Sequence, residues 1–310
     1  MQAVDSGMKT EGTISQSTTW RLIKRRSVWL FAGFFVALFL FAVPNLQEKL
    51  TERAAAQRTA EWTHSSVALS ALIHELQKER GLSSGYLATN GTTFADLMTQ
   101  QRMHTDTALK TVTVDVSRAV SDTASRNDLL HLDELRAQIS TLHISRDAQV
   151  DRYNHMINSL LAHMSKTLTS TTKPLPSQLA FLAFLRGKDM TGLERALLTT
   201  ILSSKDFGSY SRIASFHQIK AVEATHLSQF LQFAEPDAVA GYQEILKQPF
   251  MAQAQLIRRH VIAAGHSGES EALPLPDPQR WFTLSSQGID AMKALEDVLS
   301  RSVLRQAHAQ

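Results

Sequence analysis

The sequence of 310 residues contains no cysteine, which excludes disulfide bonds, thiolate metal sites and a cysteine nucleophile. It also has little excess of one charge, because 32 basic and 29 acidic side chains leave a net charge of +3. No basic stripe interleaved with aromatic residues is present, so we expect no nucleic-acid partner. The twelve histidines are scattered and lack a His-Glu-x-x-His spacing, so we also expect no bound metal.

Motifs of catalysis are missing as well. No Gly-x-Ser-x-Gly nucleophile motif occurs, and residues 81–85 (Gly-Leu-Ser-Ser-Gly) match neither a P-loop nor a dinucleotide fingerprint. Glu79 and Glu194 can be read as acid–base residues, and equally as ordinary positions on a helix surface. We therefore predict that the protein is not an enzyme and that it uses no cofactor.

The sequence has almost no strand pattern. Residues 112–116 are the one stretch in which apolar and polar residues alternate, and they lie inside a helical stretch. The Pro and Gly breaks do not divide residues 47–310 into two self-contained halves, so we expect one all-α domain of packed antiparallel helices. Apolar spacing and the breaks predict helices over residues 61–87, 94–120, 125–142, 145–168, 177–186, 189–204, 210–233, 236–264 and 278–305.

One segment has the composition of a membrane span. Residues 27–46 are twenty residues without a charge, and twenty helical residues cross the roughly 30 Å core of a bilayer. Four basic residues lie between positions 21 and 26, which favours a cytoplasmic N-terminus and an extracytoplasmic remainder. We interpret the segment as a single-pass, uncleaved transmembrane anchor; a cleaved signal peptide is the alternative. Residues 1–26, rich in Ser, Thr and Gly in their first part, are then a disordered cytoplasmic tail.

Two arginines stand on apolar helix faces in copies of one short pattern. Residues 79–82 read Glu-Arg-Gly-Leu and residues 194–197 read Glu-Arg-Ala-Leu, and each copy has a further Leu five positions on. A buried arginine is costly unless an anion meets it, and its planar fork of donors suits a planar oxyanion. Arg80 and Arg195 could therefore grip one anion from two sides. The simpler interpretation is that each forms an ion pair within the bundle.

Four separated segments resemble the NIT domain, the nitrate- and nitrite-sensing ectodomain of bacterial receptors. Leu72–Leu87 is similar to its first signature, and the similarity continues from Gly91 to Leu109. It returns at Gly192–Leu197, and Trp281–Asp297 resembles the terminal helix of the family. The order of the four matches along the chain is that of the family.

The resemblance implies a fold of two stacked four-helix bundles, usually dimeric, in which Arg80 and Arg195 bind nitrate or nitrite. In the family this domain commonly feeds a kinase, a chemotaxis module, a nucleotide-cyclase or phosphodiesterase module, or an RNA-binding antiterminator. Residues 298–310, which follow the last match, contain no second span and no output module. We therefore expect the signal to pass to a separate signalling protein, or the chain to be a truncated receptor.

Taken together, the sequence predicts a sensor of nitrate or nitrite in the bacterial cytoplasmic membrane. The tail at 1–26 is cytoplasmic, residues 27–46 cross the membrane, and residues 47–310 form a periplasmic or extracytoplasmic NIT-like domain that could dimerise. The alternative is a helical module of the cell envelope that binds another protein and has no small-anion ligand.

Overall fold

The computed structural model of the protein describes residues 15–119, 127, 129–169, 174–204, 207, 210–267 and 277–308. Within these ranges all regular secondary structure is α-helical, as the sequence predicts, and no strand occurs. The nine helices of the described residues are α1 (Ser15–Ala88), α2 (Ala95–Ala119), α3 (Leu132–Ser140), α4 (Arg146–Thr169), α5 (Pro176–Ser204), α6 (Tyr210–Phe233), α7 (Pro236–Leu246), α8 (Pro249–Ser267) and α9 (Pro278–His308).

Prolines mark the starts of four of these helices, namely Pro176, Pro236, Pro249 and Pro278. Proline is favoured at the first helical position because its fixed φ suits the helix and its missing N–H has no acceptor there. The same preference splits the predicted helix at 236–264 into α7 and α8, with Pro249 opening the second. The two helices predicted at 177–186 and 189–204 are instead one helix, α5.

The tail of residues 1–26 stays a prediction; helix α1 begins at Ser15 and so includes residues 15–26. Trp20 to Arg26 contain no Gly or Pro and include Leu, Lys and Arg, which favour helix. Residues 1–14 lie outside the described residues. Helix α1 includes Pro44 and continues beyond the apolar segment.

The chain divides into two compact units, Met1–Ala55 and Ala56–Gln310. In the first unit large apolar side chains are exposed from Phe31 onward; Phe41, for example, is 74% exposed. The described stretch Gly33–Ala88 contains a window long and apolar enough to cross a membrane, none of it buried. The candidate membrane span rests on the length and composition of the helix, and a signal sequence near the N-terminus has the same length and composition.

In the second unit the buried apolar side chains form two clusters. The first surrounds Leu72 and Leu76 of α1 and draws on α2, α3, α4 and α7 as well. The second surrounds Trp281 and includes side chains of α8. Helices α5, α6 and α9 contribute to both, so the same three helices link the two clusters.

Three aromatic rings form the centre of one part of the first cluster. Phe184 of α5 and Phe230 of α6 have ring centroids 4.9 Å apart, and Phe230 lies 5.7 Å from Tyr242 of α7. Phe184 and Tyr242 complete the triangle at 6.5 Å, edge to face. Such pairs add to the free energy of burying the rings, so this triangle joins α5, α6 and α7.

Phe230→Ala should lower the free energy of unfolding by about 3–5 kcal/mol, because it leaves a cavity in the centre of the triangle. Urea unfolding of the full chain in mild detergent, followed by circular dichroism, measures the change. Leu231→Ala is the matched control: Leu231 is the next residue and is 43% exposed, so its loss should cost about 0.5 kcal/mol or less. Equal losses in the two variants would contradict the assigned core.

Candidate functional site

The structure brings Arg80 of α1 and Arg195 of α5 together, although they lie 115 positions apart in the sequence. Both are buried, with 1% and 6% of their surfaces exposed. A Cβ atom placed on Gly81 would overlap Arg195 and lie 3.1 Å from its Cζ. A Cβ atom placed on Gly192 would lie 2.8 Å from Nη2 of Arg80. Each arginine thus lies against a glycine of the other's helix, and the two glycines make this approach possible.

Arg80 is held by two partners from other helices. Its Nη2 donates to Oδ1 of Asp189 at 3.1 Å, and Asp189 is itself buried. Its Nη1 donates to Oδ1 of Asn154 in α4 at 2.6 Å. Gln77, one turn earlier in α1, donates from Nε2 to the same Asp189 oxygen at 3.0 Å. Arg80 therefore has a carboxylate partner, and it is Asp189 rather than Glu75 or Glu79 of its own helix.

Arg195 is bound differently. Its Nη1 donates to the Ser286 hydroxyl at 3.0 Å, and its guanidinium carbon lies 4.9 Å from the centre of the Phe282 ring. No ion pair to Arg195 occurs among the described residues, and its buried Nε has no hydrogen-bond partner there. Burial, and then the charge of Arg80, lower the pKa of Arg195 to about 10, while the charge of Asp290 acts in the opposite direction. Arg195 is thus a buried cation with no carboxylate in contact among the described residues.

The glutamate before Arg80 is buried and structural, which corrects the interpretation of it as a surface residue. Glu79 is fully buried, and Arg136 of α3 binds both of its oxygens, Nε to Oε1 at 2.7 Å and Nη2 to Oε2 at 3.0 Å. The Tyr153 hydroxyl donates to Oε1 at 2.8 Å. Burial and the charge of Glu79 raise the pKa of Tyr153 well above its ordinary value, so this phenol stays a donor.

Glu194, the glutamate before Arg195, has the same arrangement. It is fully buried, and Arg258 of α8 binds its two oxygens, with Nη2 at 3.1 Å from Oε2. Lys220 of α6 lies 3.4 Å from Oε2. In both motifs the glutamate therefore ties its helix to an arginine of another helix, and the adjacent arginine is directed to the other motif.

His74 lies one turn and a half before Arg80 on α1 and is buried, with 7% of its surface exposed. Its Nδ1 has no hydrogen-bond partner among the described residues. Burial, and then the charges of Lys188, Lys293, Lys78 and Arg195, lower its pKa to about 2. His74 is thus neutral at physiological pH and lies in a region of positive potential. In the part of the chain that the structure describes, no three His, Asp or Glu side chains are grouped as metal ligands.

Sequence reasoning missed several residues around the arginines, chiefly Asp189, Asn154, Ser286 and Phe282. Ser286 and Phe282 lie inside the segment that resembles the terminal helix of the family, so that match did mark their position. Asp189 precedes Arg195 by six positions, which is not a helical neighbour spacing, and it bonds to α1 instead. Gln77 was missed as well; it is buried and donates to the same Asp189 oxygen.

Comparison with known proteins identifies the family of the chain. The sequence model of the family described as "Nitrate and nitrite sensing" matches residues 71–304, which include both arginines and the helices that hold them. The chain belongs to the NIT family. The NIT match covers the larger part of the chain and confirms the resemblance drawn from the four segments.

Two relatives are similar over long stretches. The "Nitrate regulatory protein" of Klebsiella oxytoca is 23% identical over 252 residues, which cover 78% of this chain and 62% of that protein. The solved structure titled "Structure of the NasR transcription antiterminator" superposes with a TM-score of 0.74 at 20% identity, covering 85% of this chain and 73% of that one. This NIT protein therefore shares the fold of the antiterminator, and it spans less than two thirds of the regulatory protein.

Arg136→Met should lower the free energy of unfolding by about 3–5 kcal/mol, because the buried Glu79 carboxylate loses both bonds from Arg136 and keeps only Arg102, 3.8 Å away, as a cation. Adding Glu79→Gln to that variant should restore most of the loss, since the amide removes the charge and still accepts from Tyr153. Urea unfolding in detergent measures both, with the exposed Arg301→Met as control. A double variant no more stable than Arg136→Met would show that the buried charge is not the cause.

Proposed function

We propose that this NIT protein is a membrane-anchored sensor of nitrate or nitrite, and that the anion binds between Arg80 and Arg195. The observation that supports this most directly is Arg195, a buried cation whose Nε lacks a partner and which no carboxylate neutralises among the described residues. A bundle that needed only internal ion pairs would pair this cation, as it pairs Arg136 and Arg258. The alternative, an envelope interaction module without an anion ligand, gives no reason to leave so deeply buried a cation without a carboxylate.

The chemistry of the arginines fits a small planar oxyanion. A guanidinium presents several N–H donors in one plane, and charge-assisted bonds from it to an anionic oxygen are about twice as strong as neutral ones. Gly81 and Gly192 keep the backbone of both helices close to the two guanidiniums. A small anion that accepts from Nε of Arg195 would satisfy the unpaired donor and neutralise the buried charge.

Anion binding would then favour one arrangement of α1 against α5, because it removes repulsion between two cations. A ligand shifts such an equilibrium only by the difference between its affinities for the two states. We propose that the two hydrophobic clusters correspond to two stacked four-helix bundles, with α5, α6 and α9 running through both. Movement at the arginines could thereby reach either cluster, and the signal would pass to a separate signalling protein or across a homodimer.

We further propose that residues 27–46 anchor the chain in the bacterial cytoplasmic membrane. The exposed apolar side chains from Phe31 to Phe41 support this, since burying them in lipid is favourable and exposing them to water is not. The basic residues before the segment favour a cytoplasmic N-terminus, with residues 47–310 on the extracytoplasmic side. A nucleic-acid partner is not part of this proposal, because the net charge is only +3.

Isothermal titration of the full chain in detergent should give saturable binding of nitrate or nitrite, and Arg195→Ala should weaken it by roughly 10- to 100-fold or more. The reason is that hydrogen bonds to a charged group contribute about 1.5–3 kcal/mol each. Trp281 supplies a second measurement: its Nε1 donates to the Arg195 carbonyl at 3.1 Å, so binding should change its fluorescence.

Arg195→Ala is the sharper variant, because Arg80→Ala also leaves Asp189 buried without its partner and lowers stability. Arg301→Ala, on the exposed surface of α9, is the matched control and should bind as the wild type does. A folded wild-type protein that takes up neither anion would remove the ligand from the proposal. Unchanged affinity in both Arg80→Ala and Arg195→Ala would move the site elsewhere.

The topology is tested in cells. The full chain should remain in the membrane fraction after alkaline extraction, because a transmembrane helix holds it there. Protease added to spheroplasts should digest residues 47–310 and leave an N-terminal epitope tag intact. Release of the chain by alkaline extraction would refute the anchor, and a mature N-terminus beyond residue 43 would establish cleavage instead.

A further inference from the structure

The two arginines at the site differ in how their charge is neutralised. Arg80 has Asp189, whose Oδ1 accepts from Nη2 at 3.1 Å, and both side chains are 1% exposed. Arg195 has a neutral hydroxyl, an aromatic face and a glycine, and no carboxylate among the described residues. The pair of arginines therefore carries one positive charge that the described part of the protein does not cancel.

The other charges beside the site cancel one another. Lys188, the residue before Asp189, forms a buried ion pair with Glu296. Lys293 lies 2.8 Å from Glu296 and 2.8 Å from Asp297. These two lysines and two carboxylates are together neutral, and His74 is neutral because its pKa lies near 2. Asp290 also acts on Arg195, but it is exposed and solvent screens its charge. The buried excess at the site thus stays at one positive charge.

The titration of the neighbouring groups agrees with an excess of positive charge. After burial, the charges with the largest effects on His74 are those of Lys188, Lys293, Lys78 and Arg195, and all of them lower its pKa. For Arg195, after burial, the charge of Arg80 lowers its pKa and outweighs the opposite effect of Asp290. Asp189 therefore reduces the potential at the site without reversing its sign.

We propose that Asp189 determines the charge of the anion that the site accepts, selecting a monoanion over a dianion, and this rests on the proposed function. A monoanion such as nitrate or nitrite neutralises the one excess charge and leaves the buried site without net charge. A dianion such as sulfate would leave one negative charge buried, and a buried charge without a partner is strongly unfavourable. Asp189 is a specificity-determining residue in this account, acting by charge while Arg80 and Arg195 supply the hydrogen bonds.

Asp189→Asn tests this. Asparagine keeps the size and the Oδ1 acceptor for Arg80 and Gln77 but removes one negative charge, so the net charge of the site rises by one. The full chain in detergent is titrated with nitrate and with sulfate at equal ionic strength. Wild type should bind nitrate and show sulfate binding at least tenfold weaker. In Asp189→Asn the ratio of sulfate to nitrate affinity should rise at least tenfold. Asp290→Asn removes the same formal charge from an exposed position near Arg195 and should leave the ratio within about threefold of wild type.

The outcomes separate this inference from the proposed function. If the folded wild type binds neither nitrate nor nitrite, the proposed function fails. If wild type binds nitrate and Asp189→Asn keeps the wild-type ratio, the selection by Asp189 is wrong while the nitrate site stands. A folded Asp189→Asn that loses both anions would also overturn it, since Asp189 would then act by orienting Arg80. Thermal unfolding of each variant confirms that it is folded.

Discussion

A buried positive charge, which no carboxylate of the described residues contacts, is the constraint on which the rest of the site depends. Arg195 loses its hydration in the bundle and gains only a hydroxyl, an aromatic face and a glycine in return. Rotation of α5 would move this cation toward solvent, where its charge is hydrated, so the helix must be held in place. Trp281 binds the Arg195 carbonyl and Arg258 binds Glu194 from α8, so the backbone on both sides of the guanidinium is tied to other helices. The fold maintains an unfavourable charge that a ligand can neutralise.

In each Glu-Arg motif the glutamate and the arginine have different roles. Glu79 and Glu194 each bind an arginine of another helix through both oxygens, which fixes the rotation of α1 and α5. With the glutamate fixed, the next residue points about 100° further round the helix, toward the opposite motif. The structural pair and the ligand arginine are therefore neighbours in sequence because one sets the direction of the other.

How far the sequence predicts this site depends on the range of the interactions. Helix starts at Pro236 and Pro278 follow from local backbone preferences, and the inward direction of Arg80 follows from its spacing to Leu72 and Leu76. The partners of Glu79 and Glu194 lie 57 and 64 residues away, and a single sequence carries no sign of such pairing. Asp189 is missed for the same reason, since its bond to Arg80 spans 109 residues.

The internal repeat is not a true symmetry, and the difference has a consequence for binding. In the first motif the glycine that contacts the opposite arginine is Gly81, directly after Arg80. In the second it is Gly192, three positions before Arg195, while Ala196 stands where Gly81 would be. Relative to its own arginine, Gly81 is one position after and Gly192 is three positions before. These two relative positions differ by four residues, which is about one turn along the same face of a helix. The motifs therefore meet with an offset of one turn. Asp189 contacts Arg80, and among the described residues no carboxylate contacts Arg195. An anion between the two arginines would therefore contact one that Asp189 already neutralises, Arg80, and one whose charge it would neutralise itself, Arg195.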